Sequence, residues 1–360
     1  MELPARRVFH CAAWCGRGRL FYPRVAPGVK DVPRVGWLEQ RPACMLRGHR
    51  SFADYGMQRR IEIVEVGPRD GLQSEPGVLP TAAKVEFIMR AVDAGLRRIE
   101  VTSFVSPARV PQMADAEEVL RNLPRRDDVT YIGLVLNRKG FERAAAAGCT
   151  EIGMAVVASD TFNRRNQGVS SDESIAAWAH IAAEARRAGI RAQVTVSAAF
   201  GCPFEGEVPV ARVVEIAKRV ADAQPFEISL ADTIGVAVPA QVTEVIERVR
   251  AALPDMPLRC HFHNTRNTGI ANAYVAVLAG VATLDASLGG IGGCPFAPAA
   301  TGNISTEDLV YMLQRSGYTT GVDLDAAIAT GKWLQQQLGR PVPSMLVKAG
   351  SFPQTAAHAA

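Results

Sequence analysis

From residue 61 onward, short runs rich in Val, Ile and Leu alternate with longer Ala-, Arg- and Glu-rich segments whose apolar positions recur at helical spacing. Such alternation is the pattern of βα units around a parallel sheet. Strands are predicted over 61–66, 98–103, 130–136, 150–157, 191–198, 226–231, 257–263 and 283–287, with helices over 81–94, 172–188, 210–223, 239–252 and 267–279 among the segments between them. Gly95 and Gly189 each follow a helical run and precede a strand, the place where a left-handed C-cap residue is needed. Eight strands with following helices close as a (β/α)8 TIM barrel. An open doubly wound sheet is the alternative, but it calls for a Gly-rich dinucleotide turn after the first strand, where this chain has GPRDGLQ. Beyond about residue 322, additional C-terminal helices lie outside the repeat. The expected organisation is a leader over 1–56, a barrel domain over 57–322, a C-terminal helical extension over 323–350 and a flexible tail over 351–360.

Composition narrows this little, but charge placement does more. The 360 residues are 48% hydrophobic, 21% charged and 6% aromatic, a composition that excludes disordered and fibrous classes. No stretch approaches the roughly 18 consecutive apolar residues of a membrane span, so a soluble protein with no membrane partner is expected. The net charge of +4 is unevenly held: residues 1–56 contain ten Lys or Arg against four Asp or Glu, while 57–360 contain 30 against 32. The body carries no basic face with interleaved aromatics, which argues against a nucleic-acid partner. The leader, with Cys11, Cys15, Cys44 and five prolines, reads as sequence upstream of a start at Met57; an Arg-rich, acid-poor targeting segment for an organelle is the other reading. Cys149, Cys202, Cys260 and Cys294 show no CxxC spacing, as expected of a protein in a reducing cytoplasm.

Barrel enzymes gather their chemistry on the loops at the strand C-termini. Arg69 and Asp70 follow the first predicted strand, Ser103 ends the second, Asp232 and Thr233 follow the sixth, His261 and His263 end the seventh, and Cys294 and Asn303 follow the eighth. In RCHFHN the i, i+2 spacing sends both imidazoles to one side and turns Cys260 and Phe262 toward the helices. Two histidines with a carboxylate such as Asp70 form a divalent-metal site; a hydrogen-bonded histidine pair bracing the mouth is the alternative. Arg69 offers a guanidinium to a developing enolate oxygen, or forms a loop salt bridge. Glu65 and Glu100 lie within apolar strands and require partners, with an inward Arg as the expected one. The segment GGIGGCPFAPAATGN suits a hinged lid carrying the Cys294 thiol, and Ser305 with Asp308 fits a helix-capping pattern, leaving Asn303 at the mouth as a further oxygen ligand.

Taken together, VEVGPRDGLQ, VTSFVSPARVPQM, GCPFEG, SLADTIG, HFHN, GGIGGCPFAPAATGN and STEDLVYML, in this order, resemble the 3-hydroxy-3-methylglutaryl-CoA lyase family of metal-dependent barrel lyases, over about 61–338. The resemblance implies cleavage of a tertiary 3-hydroxyacyl-CoA to acetoacetate and acetyl-CoA with Mg2+ or Mn2+. It implies that Asp70, His261 and His263 hold the cation, with Asn303 close by. Arg69 would stabilise the enolate, Asp70 or His261 would relay the hydroxyl proton, Glu100 and Asp232 would organise the site, and Cys294 would protonate the enolate. It further implies an acyl-CoA partner and a homodimer or small homo-oligomer.

The family's usual HCHD stands here as HFHN followed by TRNTG, so Asn264 replaces an acidic residue and Arg266 adds a cation. This opens the substrate to a related thioester such as citramalyl-CoA. A condensing synthase with the same Asp and HxH would need more C-terminal sequence; a 4-hydroxy-2-oxoacid aldolase would act without CoA; a binding barrel would make the mouth residues incidental. Arg138, Lys139, Arg164 and Arg165 are candidates to meet CoA phosphates.

Overall fold

The computed structural model describes residues 59–293 and 302–353. The expectations for the leader, for Cys294 and for the last residues of the tail lie outside this range. Chain order is β1 (Glu62–Glu65), α1 (Thr81–Asp93), β2 (Arg98–Ser103), α2 (Ala116–Asn122), β3 (Thr130–Val135), α3 (Arg138–Ala146), β4 (Glu151–Val157), α4 (Asp160–Gln167), α5 (Ser171–Arg187), β5 (Arg191–Ser197), α6 (Val210–Ala221), β6 (Ile228–Asp232), α7 (Pro239–Ala252), β7 (Leu258–Phe262), α8 (Gly269–Leu278), β8 (Thr283–Ala286), α9 (Thr306–Arg315), α10 (Leu324–Leu338) and α11 (Met345–Ala349). All neighbouring strands pair in parallel, and β1 pairs with β8 to close the barrel. The (β/α)8 expectation holds, with the extra helices α10 and α11 following it.

Most strand and helix limits move by one or two residues from those expected, while β2 and α7 match; β7 begins one residue later than expected, at Leu258, after Pro257, whose nitrogen has no hydrogen to donate to the ladder. The helix expected over 267–279 begins at Gly269, where the Asn264 side chain accepts the Gly269 N–H at 3.1 Å. Ser170 and Glu173 form a reciprocal capping box on α5. Ser305 accepts the Asp308 N–H at 3.1 Å, as the pattern predicts. The Asp308 carboxylate turns instead to the Met345 and Leu346 N–H groups, which ties α11 to α9. Against the barrel wall, Trp178 of α5 is buried and donates to Val220 O at 2.9 Å. Trp333 of α10 lies 6.1 Å from the Phe87 ring of α1, so the C-terminal helices cover the first barrel helix. Among the described residues no helix is long and apolar enough to cross a membrane.

The interior of the barrel is charged rather than apolar over much of its depth. Arg98 of β2 reaches Glu151 of β4 at 2.7 Å and Glu227, the residue before β6, at 3.3 Å, contacts across the sheet that only the interior allows. Arg259 of β7 donates to Gln193 of β5 at 2.8 Å and lies 3.2 Å from Asp285 of β8. Val64, Val66 and Ile132 make a separate small apolar cluster. Cys260 and Phe262 belong to the main core, with Phe262 6.0 Å from Phe200, so alternation along β7 turns the intervening His261 inward.

Gly95 and Gly189 take φ of 98° and 68°. A Cβ on Gly95 would meet Gly321 O at 2.3 Å, whereas one on Gly189 meets nothing within 4 Å. Gly95→Ala is therefore expected to cost about 2–4 kcal/mol through strain plus a backbone clash, and Gly189→Ala only about 1 kcal/mol. Urea unfolding of the two variants checks the order; equal losses would show that the Gly321 contact relaxes freely.

Candidate active site

The first site residues come from a single turn of π-helix, Gly67–Gly71, in which the Arg69, Asp70 and Gly71 N–H groups all donate to Val66 O. Glycine is required at both ends of this turn. A Cβ on Gly67 would fall 2.5 Å from Glu65 Oε1, and one on Gly71 would fall 2.6 Å from Ile291 Cγ1. Between them, Arg69 and Asp70 point across the mouth. Arg69 donates to Asp70 Oδ1 at 2.6 Å and, through its other terminal nitrogen, to Glu100 Oε2 at 2.7 Å, while its buried Nε has no protein partner. Glu100 thus has the inward Arg expected of it. Glu65 does not: it accepts the Gly67 N–H at 2.8 Å, the Leu288 N–H at 2.9 Å and the Thr306 hydroxyl at 2.6 Å. Amides and a hydroxyl, rather than a guanidinium, satisfy this strand carboxylate, because β8 and α9 bring them over the β1 end.

His261 and His263 lie together with ring centroids 5.1 Å apart. One ligand atom from each of Asp70, His261 and His263 can be chosen so that all three lie within 4.8 Å of one another. The His261 Nδ1 is 3.1 Å from Asp285 Oδ2, which leaves its Nε2 for the mouth. His263 Nε2 is 3.9 Å from Asp70 Oδ2, and its Nδ1 is buried without a hydrogen bond. Asn303 donates from Nδ2 to Asp70 Oδ2 at 2.9 Å and to Ile291 O at 3.0 Å, while its buried Oδ1 is unpartnered. Two imidazoles, a carboxylate and an orphaned amide oxygen suit a divalent cation with positions left for substrate oxygens.

Electrostatics favour the ligand protonation states of Asp70 and His263, whereas at His261 the Asp285 hydrogen bond and the charges of Asp285 and Asp70 outweigh burial and raise the imidazole above its ordinary value. Burial alone would raise the Asp70 carboxyl, but Arg69, both histidines and the Asn303 bond outweigh it and hold it at about 2. Burial and the neighbouring His261 push His263 down to about 3, so it is a neutral imidazole. Glu100 is raised by burial despite its pairing with Arg69.

Around this cluster, Asp232 is buried and accepts the Val236 and Ala237 N–H groups at 2.9 and 3.0 Å, shaping the β6 loop. Thr233 accepts the Ala198 N–H at 2.9 Å, and Ser103 donates to Gln73 Oε1 at 3.3 Å. Arg266 is exposed and its Nη1 spans the Ile234 and Gly235 carbonyls at 3.2 and 2.9 Å, joining the β7 and β6 loops. Of the basic residues considered for phosphates, Arg138 faces Glu142 and Glu184, Arg164 faces Asp160, and Arg165 stacks 4.1 Å over Phe204. Sequence reasoning missed Asp285, although an Asp in the apolar strand TLDA carried the same signal as Glu65 and Glu100. It also missed Glu307, fully buried, whose two oxygens accept the Gly289 N–H at 2.9 and 3.1 Å. Glu65 and Glu307 together grip the Leu288–Gly290 turn that leads toward Gly293, whose carbonyl accepts from Ser74 at 2.7 Å.

With this geometry established, comparison with known proteins is informative. The sequence model of the family described as HMGL-like matches residues 60–333. An (R)-citramalyl-CoA lyase of Chloroflexus aurantiacus is 46% identical over 310 residues, 83% of this chain and 98% of that protein. A hydroxymethylglutaryl-CoA lyase of Pseudomonas mevalonii is 46% identical over 279 residues, 78% of this chain and 93% of that protein. Among solved structures, an HMG-CoA lyase from Acenitobacter baumannii in complex with coenzyme A and 3-methylmalate superposes with a TM-score of 0.79 at 39% identity, covering 85% of this chain and 98% of that one.

Burial, with smaller contributions from Glu65 and Asp308, raises the Glu307 carboxyl from 4.5 to about 8, against the lowering effect of the amides it accepts from. Between those values the folded protein keeps a proton that the unfolded chain has lost, so stability falls as pH rises through this window. Glu65, raised to about 7, acts in the same direction. Glu307→Gln is expected to make the thermal midpoint fall less steeply between pH 5 and about 8, as calorimetry would show; an unchanged slope would remove Glu307 from this account.

Proposed function

The chain belongs to the HMGL-like family of carbon–carbon lyases, and from that premise we propose that it cleaves 3-hydroxy-3-methylglutaryl-CoA to acetoacetate and acetyl-CoA with the help of Mg2+ or Mn2+. The observation that carries this reading is the convergence of Asp70, His261 and His263 beside the Arg69–Glu100 pair at one end of the barrel. Asp70, His261 and His263, with the Asn303 amide oxygen, are the residues that would hold the cation. When bound, it would lower the pKa of the substrate's tertiary hydroxyl and orient that oxygen.

In this reading, Asp70 or His261 relays the hydroxyl proton. As that proton leaves, the C2–C3 bond breaks and its electron pair moves into the thioester, forming an enolate. Arg69 stabilises the charge that develops on the thioester oxygen, using donors not spent on Asp70 and Glu100. Glu100 fixes the guanidinium plane through the second arm of the pair, and Asp232 holds the shape of the adjoining loop. Cys294 delivers the proton that converts the enolate carbon to the acetyl methyl. The CoA portion extends over the mouth, and the active protein is a cytoplasmic homodimer or small homo-oligomer. Cys149, Cys202 and Cys260 are free thiols, which supports a reducing compartment.

A second reading is favoured by the 46% identity to a citramalyl-CoA lyase over nearly all of that protein's length. Citramalyl-CoA has the same thioester, tertiary hydroxyl and methyl group, but its carboxylate arm is one methylene shorter, and cleavage releases pyruvate instead of acetoacetate. One methylene changes transition-state binding by only about 1–3 kcal/mol. Placement of the carboxylate arm decides between the two, and Asn264 and Arg266 lie on the loop where this chain departs from the family pattern.

A coupled assay with both thioesters, following acetyl-CoA and the released oxo acid, tests the assignment. We expect turnover that EDTA abolishes and Mg2+ or Mn2+ restores, a higher kcat/KM for 3-hydroxy-3-methylglutaryl-CoA, and loss of activity in Asp70→Ala. Higher kcat/KM for citramalyl-CoA would move the substrate to the second reading; full activity in EDTA would overturn the metal reading. Arg69→Met is expected to lower kcat by about 10²–10³ with little change in KM, since its interaction strengthens only as the enolate forms.

A further inference from the structure

We propose that Asp285 is a positioning residue of the active site, fixing the orientation and tautomer of His261 so that its Nε2 faces Asp70 and His263. The proposal rests on the metal reading of that cluster. Asp285 stands on β8, and His261 stands beside it on β7. The contact between His261 Nδ1 and Asp285 Oδ2, at 3.1 Å, is buried on both sides. A carboxylate can only accept here, so the imidazole carries a proton on Nδ1, and Nε2 is the nitrogen left to ligate. Among the described residues, the hydrogen bond of this ring is to Asp285, while the neighbouring imidazole of His263 lies tilted at 50° with centroids 5.1 Å apart.

Asp285 is in turn held from behind. Its Oδ1 lies 3.2 Å from Arg259 Nε, and Arg259 also donates to Gln193 and approaches Glu227 at 3.7 Å. Glu227 meets Arg98, which pairs with Glu151 and Glu62 at the opposite end of the barrel. The carboxylate thus lies between one imidazole, which it hydrogen-bonds, and one cation, which it meets as an ion pair without a hydrogen bond, so His261 is connected to the buried charges of the barrel rather than to the mouth loops. Carboxylates behind a ligating histidine both orient the ring and raise the basicity of the nitrogen that binds, and their loss costs about 10–100-fold in metal affinity.

Mn2+ binding, read by the electron paramagnetic resonance of the free ion, separates the possibilities without an activity measurement. Wild type, Asp285→Asn, Asp285→Ala and Asp70→Ala would be compared, with circular dichroism and thermal midpoints measured in parallel. The expected result is a Kd for Mn2+ raised about tenfold in Asp285→Asn, where the amide oxygen still accepts, and up to about 100-fold in Asp285→Ala. A purely structural role would instead lower the midpoint and leave the Kd of the folded protein unchanged, and that result would overturn the proposal. Because Asp285→Ala leaves Arg259 uncompensated, a second measurement needs no variant. Imidazole 1H–15N correlations of the Mg2+-loaded wild type are expected to place the His261 proton on Nδ1; a proton on Nε2 would overturn the assignment. Failure of folded wild type to bind Mn2+ at all, matching Asp70→Ala, would overturn the metal reading and this inference with it, whereas tight binding by wild type and Asp285→Ala alike would overturn this inference alone.

Discussion

The interior of this barrel is governed by the need to pair charges that the closed sheet removes from water. A parallel barrel of this size is ordinarily filled by Val, Ile and Leu in layers. Here Arg98, Glu151, Glu227, Arg259 and Asp285 occupy much of that interior, and all are buried. An isolated ion at such a place is prohibitively costly, so each side chain is fixed by the next. Arg98 draws on three carboxylates, Glu62 of β1, Glu151 of β4 and Glu227 just before β6, and Arg259 connects three polar partners. Removing one member leaves another uncompensated, which makes the column rigid in a way that an apolar filling of similar volume would not be.

The mouth inherits that rigidity on one side and is built by close backbone approach on the other. His261 is tied to the charged column through Asp285, whereas Asp70 and Arg69 ride on a π-turn that exists only because Gly67 and Gly71 lack a side chain. Gly292 completes the contact: a Cβ there would lie 2.6 Å from Asn303 Nδ2 and 3.1 Å from Asp70 O. The cluster is therefore assembled from a rigid strand pair and two glycine-dependent turns. The turn that leads toward Cys294 is gripped from below by Glu65 and Glu307, carboxyls with no cation against them and raised toward neutrality by burial.

What could be read from the sequence depended on whether the signal was local. The period of two in RCHFHN gave the inward histidines, and the placement of polar residues after strands gave Asp70, Arg69, Asp232 and Asn303, because in a barrel the chain order of strand ends is also their spatial order. Glu100 received its Arg for the same reason. Glu65 was assigned a guanidinium but found amides and a hydroxyl, since its partners Leu288 and Thr306 lie more than two hundred residues away and carry no complementary charge to advertise them. Asp285 stood in plain view within TLDA, yet its duty depends on the register between β7 and β8, which no hydrophobic pattern specifies. Departures at Asn264 and Arg266 were visible as changes of charge, while their backbone contacts, a cap on α8 and a tie to the β6 loop, emerge only when the loops are folded.

This division of labour also explains why chemistry is better determined than substrate. The groups that would polarise a hydroxyl and receive an enolate are fixed by the interior charges and by glycine contacts, and both thioesters considered present the same atoms to them. In the proposed reading the carboxylate arm of the acyl group would extend past that cluster; Asp232, Asn264 and Arg266 shape the adjoining loops through their backbone bonds. There, an exposed guanidinium already engaged with two carbonyls still retains donors, so a change in loop spacing of the size of one methylene can redirect it without disturbing the metal-type cluster. An (R)-citramalyl-CoA lyase and a hydroxymethylglutaryl-CoA lyase each share 46% identity with this chain, and in the proposed reading the barrel would hold the reacting groups while the choice of acid would fall to loops whose energetic reach is only about 1–3 kcal/mol.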